Sequence, residues 1–490
     1  MDAPAAAAAR RSKIEGAVIR QGTRAYVAAS VVAQACSLAR YTIMARLLGP
    51  EQLGLAALLL LTAAFFESVS DSGSDRFLIQ DPDGDVPAVQ KLVQLVFVGR
   101  GVFIALGLMI AAYPMAHLYG QPALAPGLMI LAAAPLIGGW LHLDFRRAQR
   151  RHDFRAEALG LAVAEVVSTV VIIVAAYCTR DFTAILYGLI ARPLVQVIVS
   201  HLTAKRPYAI GYSREYAGRL ALFAGPLVVN GLLLFIGSQG DRVLIGHQLG
   251  VKDLGYYTAV LLLVSSPASM VTRVLGATNL PLISAARGNL TNLKLAADRL
   301  AGRALLLSLG IAAGFALVAP IAVVMLYGPA FHQAVTVVAL IGILQAARFI
   351  RLWPTNVALG MGLSRIVMIN NIARLVALPA AIVGFICFGG LTGILAGFIF
   401  GEFTALIVAL TLLNRQVGFS AWDGFDRVAV FAAVLAIVFG AAWGAETGHY
   451  ASMTLFTTLL AAVIGWVLLR ERATIVEVRD LLRTLRPARR

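Results

Sequence analysis

Charge is scarce in this chain. Of its 490 residues only 13% are Asp, Glu, Lys or Arg, about half of the roughly 25% usual in soluble domains. No stretch of about 100 residues, the size of a small domain, is polar enough to fold in water by itself. That argues against a separate water-soluble catalytic domain. Cysteine is scarce too. Cys36, Cys178 and Cys387 stand far apart in or beside apolar runs, with no Cys-x-x-Cys and no Cys/His cluster. Neither a disulfide nor a metal site is expected, and no motif implies a cofactor. The first apolar run lacks a small-residue cleavage site, so it reads as a retained helix and not as a signal peptide.

What the chain has in abundance is apolar length. Hydrophobic residues make up 59% of it and the mean hydropathy is +0.82. A membrane-crossing helix needs about 20 mostly apolar residues. Fourteen such runs can be placed, at 24–47, 53–71, 92–113, 122–143, 157–178, 182–203, 217–240, 253–276, 301–326, 331–353, 363–386, 390–413, 427–445 and 451–469. The expected fold is therefore an all-α polytopic membrane protein with about 14 transmembrane helices.

The formal charge of +16 would suggest nucleic acid in a soluble protein. Here the basic residues fall in short loops, and topology explains them. With the N-terminus inside, the inner segments carry Arg10, Arg11, Lys13, Arg20, Arg24, Arg76, Lys91, Arg146, Arg147, Arg150, Arg151 and Arg155. Lys205, Arg206, Arg214, Arg219, Arg287, Lys294, Arg299, Arg303, Arg348, Arg351, Arg365, Arg415 and Arg427 follow, and arginines end the chain. The outer loops hold only Arg46, Arg180, Arg242 and Lys252. This asymmetry obeys the positive-inside rule and places both termini in the cytoplasm. Residues 1–9 are alanine-rich and expected to be disordered. Residues 470–486 form an amphipathic basic tail suited to the inner membrane surface.

An internal repeat lies at an offset of 201 residues. Leu48-Gly49-Pro50-Glu51-Gln52-Leu53-Gly54 matches Leu249-Gly250-Val251-Lys252-Asp253-Leu254-Gly255, and Leu60-Leu61 matches Leu261-Leu262. Both copies fall in the outer turn after the first helix of a six-helix block. An even block length makes the repeat parallel, about an axis along the membrane normal. The expected organisation is a cytoplasmic segment 1–23, an N-lobe 24–203, a linker 204–216 and a C-lobe 217–413. Two further helices at 427–469 and the tail 470–490 complete it.

At these residues the chain resembles a known family. Ala45-Arg46-Leu47-Leu48-Gly49-Pro50-Glu51-Gln52-Leu53-Gly54, then Ser70-Asp71-Ser72-Gly73 and Leu78-Ile79-Gln80, look like the start of bacterial polysaccharide flippases. These belong to the MOP superfamily, with the MATE exporters and the lipid II flippase. Ser74-Asp75 stand where the family usually has a leucine-like residue. The resemblance implies two six-helix lobes in a V around a central cavity that alternates between the membrane faces. The implied cargo is an undecaprenyl-diphosphate-linked oligosaccharide, carried across the bacterial inner membrane for exopolysaccharide, capsule or O-antigen synthesis. Its tail would stay in the phospholipid bilayer. A downstream polysaccharide polymerase and a Na+ or H+ gradient are further implied partners, and nucleic acid is not.

Ionisable groups within spans each cost about 2.5–3.5 kcal/mol at a helix centre, so they should face protein or water. They are Arg40, Glu67, Arg100, Glu165, Arg192, Arg273, Arg374 and Glu402. Arg273 is near the inner end of its span and can snorkel. Arg100 and Arg374 lie roughly 13 and 15 Å deep at 1.5 Å per residue. A cavity passing a diphosphate wants guanidinium forks, and the resemblance singles out Arg40, at a spacing where the lipid II flippase has a cavity arginine. Arg40, Arg374, Arg100 and Arg192 are the candidate substrate-binding residues. Glu67, Glu165 and Glu402 are either coupling acids or internal ion-pair partners. Asn230, Asn370 and Asn371 either contact sugar or bond between helices. Gly389, Gly393, Gly397 and Gly401 form a close-packing stripe, and Pro135, Pro193, Pro226, Pro267 and Pro379 should kink their helices. The loop Asp81-Pro82-Asp83-Gly84-Asp85 lacks calcium-loop ligands at Val86 and Leu92 and reads as a solvated linker.

Two other functions are open. A cation-coupled multidrug exporter of the same fold would favour an acid-dominated cavity. A polysaccharide polymerase or ligase, or a lipid-linked glycosyltransferase, would carry a large outer loop or a cytosolic domain. The longest connection expected here is about 24 residues, around 277–300.

Overall fold

The computed structural model describes residues 3–151, 153–265, 283, 286, 288–332, 335–420, 422–472 and 476. All regular secondary structure among them is helical. In the first half, α1 is Ala3–Val69, α2 Ser74–Gln80, α3 Pro87–Leu118, α4 Leu124–Leu131 and α5 Ala133–Gly138. Next come α6 Asp144–Gln149, α7 Arg155–Thr179, α8 Thr183–Thr203, α9 Arg214–Gln248 and α10, residues 251–265. The second half holds α11 Leu290–Tyr327, α12 Val335–Ile350, α13 Leu352–Gly360 and α14 Ser364–Arg374. It ends with α15 Ala377–Phe388, α16 Gly390–Val417, α17 Phe425–Glu446 and α18 Tyr450–Arg470.

Ten helical stretches among the described residues are long and apolar enough to cross a membrane, and Leu124–Gly138 and Thr454–Arg470 are shorter apolar helices. The first of the ten makes two passes. Gly49 breaks α1 with φ 75° and ψ 177°, a backbone shape that glycine adopts without strain. Pro50 then starts the second helix, where its missing N–H is no loss. Each of the fourteen expected spans contains helix where it is described, but 122–143 is helical only at 124–131 and 133–138 and ends in turns. The last part of 253–276, with Pro267 and Arg273, and most of the tail 470–486 lie outside the described residues. Helix reaches back to Ala3, so the expected disorder of the alanine run is corrected; alanine has the highest helix propensity. α11 begins at Leu290, which shortens the long connection expected before residue 301.

Three helices are interrupted for a common reason. The breaks fall at Ala132, at Arg351 and at Leu375–Val376, each three or four residues before a proline: Pro135, Pro354 and Pro379. A proline ring removes a backbone donor and clashes with the carbonyl four residues back. Pro193 and Pro226 lie inside the continuous helices α8 and α9. In the second half, Gly393, Gly397 and Gly401 of α16 leave no room for a side chain. A Cβ there would lie 2.2–2.3 Å from the Gly384 carbonyl, Ala381 or Ala377 of α15. These three form the expected close-packing face; the fourth, Gly389, has φ 68° at the junction of α15 and α16, and a Cβ there would meet nothing within 4 Å.

Contacts divide the chain into two units. The first runs to Phe235 and includes Gly250–Gly255; the second comprises Ile236–Leu249 and the chain from Tyr256 onward. Within the first unit the two copies of the repeat touch. A Cβ on Gly54 would lie 1.8 Å from the Val251 carbonyl oxygen, and one on Gly255 would lie 1.8 Å from that of Pro50. Residue 251 is the repeat partner of residue 50, and 255 of 54, so the contact is reciprocal. Gly250, like Gly49, has positive φ.

The acidic loop at 81–85 is organised, not a solvated linker. Arg150 donates to the carbonyls of Leu78 at 3.0 Å, Ile79 at 2.9 Å and Pro82 at 3.1 Å. Arg219, near the start of α9, forks onto Asp81 at 2.7 Å and Asp83 at 2.8 Å. Arg147, Arg150 and Arg151 surround Asp85 at 3.6–3.8 Å. Asp75, the departure from the family pattern, pairs with Arg146 at 3.1 Å. The linker after α8 is pinned to the same face. The Lys205 amide donates to Asp144 at 2.8 Å, Arg206 to the Asp85 carbonyl at 2.8 Å, and the Gly211 amide to that of Lys91 at 3.3 Å. Burial opposes ionisation of Asp144, but the Arg147 guanidinium at 2.7 Å and the Lys205 amide outweigh it and hold the carboxyl below its ordinary pKa.

Candidate functional site

Each unit holds its own cluster of spanning charges. In the first, Glu165 of α7 is buried and takes two arginines. Arg40 of α1 meets it at 3.3 Å and also donates to Thr169 at 3.5 Å. Arg192 of α8 meets its other oxygen at 2.7 Å and stays 43% exposed. Helical spacing brings Glu165 and Thr169 to one face of α7, where Arg40 can reach both.

Arg100 of α3 behaves differently. Its Nε donates to the Ser70 hydroxyl at 3.1 Å and its Nη2 to the Glu67 carbonyl at 3.0 Å. It thus satisfies the end of the helix that closes at Val69. Its place is set by the C-terminal end of the helix that closes at Val69, and α3 runs back from it to Pro87. Glu67, on an exposed turn, makes no ion pair among the described residues. Glu67, Arg100, Arg192 and Gln196 are the polar groups around a cavity of about 380 Å³, whose apolar wall includes Phe97 and Pro193.

The cluster of the second unit is larger and more buried. Arg374, the last residue of α14, meets Glu402 of α16 at 2.7 Å and is 11% exposed. Gly237 of α9 makes its room: a Cβ there would lie 3.1 Å from the Arg374 Nη1. Glu402 also takes Arg351 at 2.7 Å and Arg348 at 3.3 Å. Arg348 continues to Asp241 at 2.7 Å, and the Tyr257 hydroxyl donates to that carboxylate at 2.6 Å. Asn370 is fully buried. In the amide orientation that satisfies both partners, it donates to the Ala405 carbonyl at 2.8 Å and accepts from Arg351 at 2.7 Å. It is therefore a bond between helices and not a sugar contact. Asn230 is exposed on α9, and Asn371 is half-buried.

The sequence reading missed Arg348, Arg351 and Asp241. The two arginines are expected in an inner loop, and Arg242, beside Asp241, in an outer one. All lie within or at the breaks of helices. The one available signal was Pro354, which opens the helix at Arg351 and lets it turn to Glu402.

The fold is that of the MOP superfamily. The lipid II flippase MurJ in an inward closed conformation superposes with a TM-score of 0.64, at 14% identity, over 92% of this chain and 99% of that one. An inward-facing multidrug resistance MATE transporter gives 0.59 at 18% identity, over 78% and 94%. Residues 43–336, more than half of the chain, match the polysaccharide biosynthesis protein family, and the chain belongs to it. It is also 26% identical over 231 residues to the succinoglycan biosynthesis transport protein ExoT of Rhizobium meliloti (strain 1021). That alignment covers 47% of this chain and 46% of ExoT, so it spans about half the length of the relative.

Proposed function

We propose that this protein is a flippase. It carries an undecaprenyl-diphosphate-linked oligosaccharide from the cytoplasmic to the periplasmic leaflet of a bacterial inner membrane, for surface polysaccharide synthesis. It does no covalent chemistry and hands its cargo to a downstream polymerase. The observation that carries this reading is the surplus of guanidinium in both clusters. Arg40, Arg100 and Arg192 accompany Glu67 and Glu165, and Arg348, Arg351 and Arg374 share Asp241 and Glu402. A diphosphate is recognised by such forks, which match its oxygens two at a time. A cationic drug would be repelled by them.

In this reading 24–203 and 217–413 act as the two lobes of an alternating-access cycle. Arg40 offers the N-lobe's positive charge to the diphosphate, and Arg374 offers the C-lobe's. Glu165 serves as a resident counter-ion that the cargo displaces in part, and Glu402 stays in place and orients Arg374.

The test is deletion of the gene with analysis of lipid-linked sugars. The expected result is loss of surface polysaccharide and accumulation of complete undecaprenyl-linked units at the inner face. Loss of drug resistance with normal polysaccharide would favour an exporter. Orientation is checked by cysteine substitution. Residues 181 and 447 should label from outside, and 149 and 294 should not.

A further inference from the structure

The cavity beside Arg100 has a chemistry that the surplus of arginine does not explain. Its polar lining is mixed: Glu67, Arg100, Arg192 and Gln196. A diphosphate has no hydrogen to donate, and Glu67, unlike Glu165 and Glu402, has no arginine paired with its carboxylate among the described residues. A carboxylate in its wall would repel the ligand and leave its own lone pairs without a partner. A sugar ring differs, because each hydroxyl is both donor and acceptor. It needs an acceptor such as Glu67 together with donors such as Gln196 and the guanidiniums. The volume of about 380 Å³ lies in the range of small-ligand sites, roughly 300–1,000 Å³.

The geometry also fixes the parts in place. Arg100 commits two of its donors to the Ser70 hydroxyl and the Glu67 carbonyl. The rest of its five-donor fork remains. Arg192 is oriented by Glu165 at 2.7 Å. A Cβ on Gly101 would lie 2.5 Å from the Pro135 carbonyl, and one on Gly139 would lie 3.1 Å from that of Phe97. The wall formed by α3 and α5 is therefore closely packed and does not collapse into the space.

We infer that this cavity is a glycosyl subsite that takes one hexose-sized sugar of the cargo, with Glu67 accepting from its hydroxyls and at the same time excluding phosphate. The inference rests on the flippase reading for its cargo and goes beyond it in assigning Glu67, Arg100, Arg192 and Gln196 to sugar.

The experiment places one cysteine in the cavity wall, Ala134→Cys, with Cys36, Cys178 and Cys387 replaced by serine in the full chain. Purified protein in lipid nanodiscs is labelled with a small maleimide. The competitors are methyl glucoside, methyl galactoside and inorganic pyrophosphate. At least one methyl glycoside should slow labelling about threefold once it stands at twice its Kd, and pyrophosphate should not. Adding Glu67→Gln should let pyrophosphate protect, because the amide accepts a hydrogen bond without repelling an anion. Pyrophosphate protecting the parent would overturn the inference, and so would a failure of both glycosides. Because the competitors are soluble, this outcome is independent of the deletion test. A normal deletion phenotype would sink the flippase reading while leaving the subsite measurement intact.

Discussion

The two charge clusters are built from the same residue types and behave as opposites. In the first unit Glu165 holds Arg40 and Arg192, but Arg192 stays 43% exposed and Arg100 is tied only to a hydroxyl and a carbonyl. In the second, Glu402 is 2% exposed and takes three arginines, and Asp241 is 0% exposed. A buried carboxylate with three cationic partners is a framework element, since an unpaired buried charge is strongly destabilising. A half-exposed guanidinium can exchange partners at low cost. The comparison separates charge that holds helices together from charge available to a ligand, a distinction that charge counting alone does not make.

The largest effect should follow from Glu402→Leu, which leaves Arg348, Arg351 and Arg374 facing one another. It is expected to cost about 3–5 kcal/mol, read as lost abundance and a lower melting temperature in detergent. Adding Arg351→Met should restore part of the loss. Unchanged stability would break the framework interpretation. Next, Arg374→Gln should cost about 1.5–3 kcal/mol, typical of a hydrogen bond to a charged group, and lower abundance and surface polysaccharide together. Arg192→Gln should abolish polysaccharide while stability stays within about 0.5 kcal/mol of the parent. Equal behaviour of the two variants would erase the contrast. Gly255→Val, which drives a side chain into the Pro50 carbonyl, should cost about 1–3 kcal/mol, seen in the same melting assay.

The smallest effect concerns pH. The Asp144 carboxyl is held below its ordinary pKa, so its contribution is complete above about 3.9, the unfolded value. It is lost as pH falls through the lower folded value. Asp144→Asn should remove that part of the acid sensitivity. It should also loosen the linker, measured as faster proteolysis near Lys205. An unchanged acid profile would show that the linker contact does not titrate.

Much of this was legible in the sequence. Runs of apolar residues are long enough to declare each pass, and Gly49-Pro50 marks its own turn, because backbone geometry there depends on two residues. Internal ion pairing of Glu165 and Glu402 was one of the two roles that the sequence left open for them. Arg348 and Arg351 were not legible as buried groups. A charge near the end of an apolar run looks like a loop residue until a partner such as Glu402, about fifty positions away, is known to face it. The acidic loop misled for a related reason. Its aspartates look solvated until Arg150 and Arg219 are seen to enclose them.

The reciprocal contact of Gly54 with residue 251 and Gly255 with residue 50 has the form i to j and j to i. That is the signature of an isologous interface, the kind that joins two identical subunits about a twofold axis. A bulky residue on either side meets the other copy's backbone, so the two positions form one mutational unit. Substituting both should cost less than the sum of the separate substitutions.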